Sequence, residues 1–408
     1  VSKNSIFGAG GWAKKDKKMH LIPLALYLLL SIAFFGCGDK GTSSDNSGEK
    51  ESPNPPCDST EAGSYRWIEE GVTFEVCENG FWTSDSVRPH VAGFNSCQFN
   101  FGAAWQHAHE DSVYYDGLDY VSVWLGDNPF YNEFEKRMVR TCFEIHATPM
   151  IYAYVIAEFG KDHDMDDCDV AKRKGKKSLC VYGADLIREY FADSILYRYR
   201  KYADGMSHQV RTYENESEKF EPIWMIEPDF YQYSQMASEQ SVANKGEEQL
   251  NGGIPDSMMG AYFKQIVDTI KAYLPDAKIA VDISPWITDW DSLGLTRWFS
   301  HFDMSLVDYV STSGGRTQAN SVKIRNANKL TWKKLYETLK KPILADVGYD
   351  AGGEGTGHAD LWDNISNLEA RAKDGVVGVM QMDAALDYPL RASYIRSRLQ
   401  VDYPWCKE

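Results

Sequence analysis

The chain has 408 residues, 43 of them Lys or Arg and 59 Asp or Glu, for a formal charge of −16. With 43% hydrophobic and 25% charged residues it lies in the globular range, which excludes global disorder, a polytopic membrane protein and a collagen-like fibre. The acidic balance argues against a nucleic-acid binder, which needs a basic face to follow phosphates, and suits a neutral or cationic ligand. Twelve Trp, 24 Tyr and 18 Phe can fill a core, stack on sugar rings, or both.

Residues 1–36 read as a signal peptide. Lys14, Lys15, Lys17 and Lys18 precede an apolar run, Leu21 to Phe35, that is shorter than the ~20 residues of a spanning helix. The run ends Phe34-Phe35-Gly36-Cys37, which resembles a bacterial lipobox and makes Cys37 the expected lipidation site. The protein is therefore expected to be exported and held on a bacterial membrane by lipid; plain secretion and a retained anchor helix are the alternatives. Residues 37–56 carry no large apolar side chain and read as a flexible linker. Seven cysteines follow, with no C-x-x-C pair, so a zinc ribbon or thioredoxin motif is not expected. Proximity in sequence predicts Cys57–Cys77 and Cys168–Cys180, with Cys97–Cys142 a further pairing and one thiol left over. Residues 57–86 form a small β unit, because Asn79-Gly80 between apolar runs is a hairpin signal and so short a segment needs a disulfide staple. It is either a glycan-contact module presenting Trp67 and Trp82 or a spacer whose two Trp make its own core.

From residue 88 to 400, strand and helix patterns alternate. Strands are predicted at Ser96–Trp105, Tyr120–Leu125, Met150–Ile156, Ile223–Glu227, Lys278–Ile283, Val307–Ser311, Ile343–Val347 and Val376–Met382. Helical periodicity is clearest at Asn132–Ile145, Gly183–Tyr202, Ser257–Tyr273, Thr331–Lys340 and Leu361–Ala372. Eight such repeats predict an α/β fold, a (β/α)8 barrel. A doubly wound sheet is the alternative, but no G-x-G-x-x-G follows the first strand, and Gly352 to Gly357 reads as a flexible turn.

A side-chain period of two assigns the faces. Glu227 shares a face with Ile223 and Met225, Asp282 with Ala280 and Ser284, and Asp346 with Leu344, while Gln381 pairs with Asp383. Acids late on several strands then open on the carboxyl end of the barrel, where active sites sit. Any one of them also suits a helix cap. Carboxylates facing one cavity repel, which raises the pKa of some and can supply an acid and a base together, as glycosidic cleavage needs.

Met225-Ile226-Glu227-Pro228-Asp229 resembles the end of strand four in clan A glycoside hydrolases, and Ile343 to Tyr349 resembles their strand seven. The resemblance implies Glu227 as acid/base and Asp346 as nucleophile, with Ile226 standing where that clan has Asn and Asp346 where it has Glu. Asp167-Cys168, Ile226-Glu227-Pro228-Asp229 and Asp282 before Trp286 are similar to glycoside hydrolase family 6, the inverting cellulases. That resemblance implies Asp167 or Asp229 as the acid, with a second Asp positioning water. In either version Asp282 tunes charge or binds a sugar hydroxyl.

Trp124, Trp286, Trp290, Tyr231, Tyr349 and Gln381 are the expected substrate contacts. His107 and His109 make a weak metal signal. The Asp162–Asp169 acids lack an EF-hand pattern and read as a lid loop closed by Cys168–Cys180. No metal and no cofactor is expected, and no G-x-S-x-G elbow is present. The expectation is an exported, monomeric glycoside hydrolase of endo-β-glucanase type that cleaves a β-linked polysaccharide. The alternative is a non-catalytic glycan-binding lipoprotein on a degenerate barrel.

Overall fold

Segments rich in β-branched and aromatic residues close into a barrel in the computed structural model, which describes residues 55–58, 65–69, 73–78, 80–86, 93–107, 109–110, 112–125, 131–213, 221–235, 248–313, 316–348 and 359–406. Strands β1 (Tyr65–Glu69), β2 (Thr73–Glu78) and β3 (Phe81–Ser86) form an antiparallel sheet in that order. Gly80 sits at the β2–β3 turn with φ of 80°, a conformation that glycine adopts without Cβ strain. The Cys57–Cys77 disulfide staples this sheet as predicted, and Trp82 is buried under the Arg66 guanidinium, 4.3 Å from its ring.

Strands β4 (Asn100–Ala104), β5 (Tyr120–Leu125) and β6 (Thr148–Ala153) follow, with helix α1 (Glu133–Glu144) between the last two and α2 (Val155–Asp162) after them. A two-residue parallel ladder, β7 (Met165–Asp166) and β8 (Lys177–Ser178), brackets α3 (Cys168–Lys174). Next come α4 (Leu179–Tyr190), a π-helical turn over Phe191–Ile195, α5 (Leu196–Tyr213), β9 (Ile223–Ile226), α6 (Phe230–Ser234) and α7 (Asp256–Tyr273). The chain continues through β10 (Lys278–Asp282), α8 (Ser292–Phe299), β11 (Tyr309–Thr312), α9 (Trp332–Leu339) and β12 (Ile343–Gly348). It ends with α10 (Ala359–Trp362), α11 (Ile365–Lys373), β13 (Val376–Gln381) and α12 (Tyr388–Arg398). The eight strands β4, β5, β6, β9, β10, β11, β12 and β13 close a parallel barrel in that order, β13 pairing back onto β4.

All eight predicted strands are present, with several ends trimmed and three extended by one or two residues. The third stops at Ala153 because Tyr154 caps α2. The predicted Gly183–Tyr202 helix is broken by the π turn, and Leu361–Ala372 splits into α10 and α11. Val121, Val123, Ile151, Val281, Val310 and Val379 share the outward face of the paired strands and bury against helices. Tyr120, Met150, Tyr152, Met225, Ala280, Leu344 and Met380 share the inward face and plug the lumen. The plug is tight: a Cβ on Gly102 would lie 2.5 Å from the Tyr120 ring. Ser122 Oγ meets Met380 Sδ across it at 3.4 Å.

Cys168–Cys180 forms as expected, but Cys97 does not reach Cys142. It bonds to Cys406, because Trp405 Nε1 donates to Ser96 O at 3.1 Å and lays the C-terminal turn beside Cys97. Cys142 faces inward from α1 against Met138, a buried thiol whose pKa burial pushes up. Among the described residues no helix is long and apolar enough to cross a membrane.

Candidate active site

The carboxyl ends of the strands surround a cavity of about 460 Å3, walled in part by Trp124, Tyr154, Asp167, Asp229, Trp286 and Ser313. Asp229 follows β9 as the N-cap residue of α6 but makes no side-chain cap bond, which leaves its carboxyl for the cavity. Its Oδ2 accepts from Tyr154 Oη at 2.7 Å and from Tyr233 Oη at 3.3 Å, while Gln232 donates to Oδ1. Tyr233 Oη also lies 2.9 Å from Asp167 Oδ1, so one phenol, with a single proton to give, sits between the two acids. Asp167 is placed by capping α3, whose end is tied to α4 by Cys168–Cys180. Burial, and then the nearby Asp167 charge, push Asp229 up to about 7. Tyr154 and Tyr233 lie well above the usual phenol range, mainly through burial, so they remain donors.

Asp282 and Asp346 lie below this pair, on the inward faces of β10 and β12, as the period of two predicts. Asp282 Oδ1 accepts from Ser313 N at 2.7 Å, while Oδ2 is buried with no hydrogen-bond partner among the described residues. Burial drives Asp282 well above the carboxylate range, and the charges of Asp229 and Asp346 add to this. An acid so placed is held toward its neutral, proton-carrying form. Asp346 is 1% exposed; its Oδ1 accepts from Gly348 N at 2.6 Å and its Oδ2 from Tyr152 Oη at 3.2 Å, across the lumen.

Glu227 departs from the face the period assigns to it. Its φ of 43° is in the left-handed region, unusual for a residue with a Cβ, and its side chain leaves the lumen line. Its carboxyl accepts from Ile156 N at 3.0 and 3.2 Å, in the first turn of α2, and from Tyr199 Oη of α5 at 2.5 Å. It is fully buried and, like Asp282 and Asp346, not part of this cavity's wall, though it lines a smaller pocket with Asp229 and Asp282; burial pushes it up to about 8 against the hydrogen bonds that lower it. The expected convergence of Glu227, Asp282 and Asp346 is thus corrected. The acids brought together are Asp167 with Asp229, and Asp282 with Asp346 beneath them.

The expected aromatic contacts divide as well. Trp124 lines the cavity, stacked on Tyr152 at 4.7 Å with Tyr154 edge-on at 5.4 Å. Trp286 lines the same cavity. Trp290 and Tyr231 pack edge-to-face at 4.9 Å in a helix-layer cluster with Trp298 and Phe299, away from the cavity. Gln381 faces outward and donates to Asp363 Oδ1 at 3.4 Å, because it alternates with the inward-facing Met380 and pairs with Ala103 of β4. Tyr349 lies outside the described residues, as do Cys37, Trp67's side chain and the Gly352–Gly357 run. Among the described residues no group of three or more His, Cys, Asp or Glu could hold a metal. Sequence reasoning missed Tyr152, Ser313 and Tyr199. Tyr152 was marked only by sharing a face with Tyr154, and the other two act through hydrogen bonds that leave no periodic trace.

No protein-family model matches this chain, and neither does any curated protein. Solved structures similar to it include the β-1,4-D-mannanase from Cryptopygus antarcticus, 12% identical over 76% of this chain and 93% of that one, with a TM-score of 0.40. The endo-1,4-β-mannanase from Eisenia fetida is 11% identical over 76% and 94%, with a TM-score of 0.39. The intracellular xylanase from Thermoanaerobacterium saccharolyticum is 10% identical over 72% and 90%, with a TM-score of 0.41.

Proposed function

We propose that this protein is an exported glycoside hydrolase that cleaves a β-linked polysaccharide, with β-glucan the first substrate to try. The observation that carries the proposal is the Asp229–Tyr233–Asp167 bridge in a cavity walled by Trp124 and Trp286. An acid raised to about 7 is protonated at working pH yet able to give its proton up, which a leaving glycosidic oxygen requires. Asp229 is the proton donor, its acid form favoured first by burial and then by the Asp167 charge. Asp346, whose two oxygens both accept hydrogen bonds, is the second carboxylate, and Asp282 between them holds a sugar hydroxyl. Two indoles supply flat apolar platforms for the pyranose faces. The retaining assignment of Glu227 as acid/base draws no support from a carboxyl committed to α2 and Tyr199.

Release of reducing sugar from a panel of β-linked polysaccharides, followed by chromatography, tests the proposal. Asp229→Asn is expected to lower kcat by about 10²–10⁴-fold while the protein still binds the polysaccharide. Turnover close to that of the unmodified protein would remove Asp229 from the role. The withdrawn position of Glu227 favours one second reading, a glycan binder without hydrolytic activity. Retention on insoluble polysaccharide with no sugar released would establish it.

A further inference from the structure

Most buried or half-buried arginines here rest on carboxylates: Arg198 on Asp162, Arg371 on Asp374, Arg391 on Asp363 and Arg396 on Asp119. Arg316 and Arg325 do not. Both flank Trp286, with guanidinium carbons 6.0 and 4.3 Å from the indole centroid, and among the described residues neither has a carboxylate partner. Arg325 is 8% exposed and donates to Pro285 O at 3.1 Å, one of five N–H groups accounted for. Asn328 donates to the same carbonyl at 3.0 Å, so the pair fixes the turn that presents Trp286. Arg316 is exposed on a backbone with φ of 56°, held by its N–H to Val347 O at 3.2 Å and by Thr317 Oγ1 to Asp346 O at 2.5 Å. Two like charges beside one ring, one of them largely buried, are unfavourable unless an anion joins them.

We infer that Arg316, Trp286 and Arg325 form a subsite for an anionic sugar, its ring on the indole and its carboxylate or sulfate on the guanidinium groups. The inference deepens the glycoside hydrolase reading and rests on it. A planar guanidinium suits a carboxylate in two-point contact, and an indole suits the apolar face of the same sugar. The acids that share the cavity lining, Asp167 and Asp229, repel such a charge, so the substituent favours the arginines beside Trp286 and the chain takes one orientation. The net charge of −16, which by itself points to neutral or cationic ligands, does not describe this wall.

The test is calorimetric binding of three ligands with one backbone: cellotetraose, cellotetraose oxidised at C6 to glucuronate units, and sulfated cellotetraose. At low salt the anionic forms are expected to bind about tenfold more tightly than the neutral one, with the gap shrinking as salt rises. A gap confined to the oxidised ligand identifies carboxylate as the group recognised, and one confined to the sulfated ligand identifies sulfate. Arg316→Gln is expected to bring the ratio to within about twofold, while Arg200→Gln, an exposed arginine on α5, keeps it. Equal affinity for all three ligands, or a ratio untouched by Arg316→Gln, overturns the subsite. If neutral cellotetraose is still cleaved in that case, the hydrolase reading stands. If no ligand is bound and no polysaccharide is cleaved, both fall.

Discussion

Asp229 and Glu227 are two residues apart, and both are raised by burial, yet they face different surroundings and differ in their expected response to substitution. Asp229 is protonated below about pH 7, so activity that needs its proton should fall as pH rises through that value. In Asp229→Asn the pH–rate profile should lose this limb along with most of its height, which a kcat/KM series between pH 5 and 9 would show. Glu227 has a folded pKa of about 8 against an unfolded value near ~4.3. Its neutral form therefore contributes stability that is complete below the unfolded value and declines as pH climbs to about 8. Glu227→Gln, which cannot ionise, should flatten that decline and cost about 1–3 kcal/mol through the imperfect fit of an amide to Ile156 N–H and Tyr199. Urea melts at pH 5 and pH 8 measure both effects; an unchanged slope would mean that Glu227 titrates equally in the folded and unfolded chains.

At the level of elements, the strands were legible because each carries its own period and its β-branched face, as Ile279, Val281 and Ile283 do against Ala280 and Asp282. Asp282 and Asp346 could be placed on the lumen for the same reason. Glu227 could not, since a single left-handed residue at the end of β9 reverses the face without altering the pattern of types. Gln381 was misplaced because its polar type outweighed its position: it alternates with inward Met380, so the period of two already puts it on the outward face with Val379. Asp167 was flagged through its neighbour Cys168, and its place beside Asp229 depends on α3 being held by Cys168–Cys180. Replacing both cysteines by Ser should therefore release Asp167 from Tyr233 and move the Asp229 limb to lower pH, with a smaller loss in overall stability, about 2–4 kcal/mol. Activity profiles and melts on the double variant separate the two effects. A limb that stays in place would show that Asp167 does not set it.

Over the whole molecule, the aromatic excess divides between the lumen plug, the helix layer and the cavity wall, and type alone could not say which Trp serves which. Trp124 and Trp286 reach the cavity because one ends β5 and the other closely follows β10 at the carboxyl rim, whereas Trp290 lies further along its loop and turns into the helices. The disulfide between Cys97 and Cys406 was beyond prediction for a similar reason: its 309-residue span is set by the closure of the barrel, not by local spacing. Removing it with Cys97→Ser and Cys406→Ser should lower stability by about 2–5 kcal/mol, because the unfolded chain regains the freedom of a very long loop. Guanidinium titration under non-reducing conditions reads this directly. An unchanged midpoint would show that packing of Trp405 alone secures the end.

That same bond has a mechanical meaning. Strand β4 and strand β13 are the seam at which a parallel barrel would unzip, and the sulfur link stitches the chain together just outside that seam. A pull on the segment ahead of β4 is passed to the C-terminal turn instead of peeling the first strand from the last. A body drawn between a surface and a long polymer would keep its hoop shut under such tension, and only a reductant would let it open from the ends.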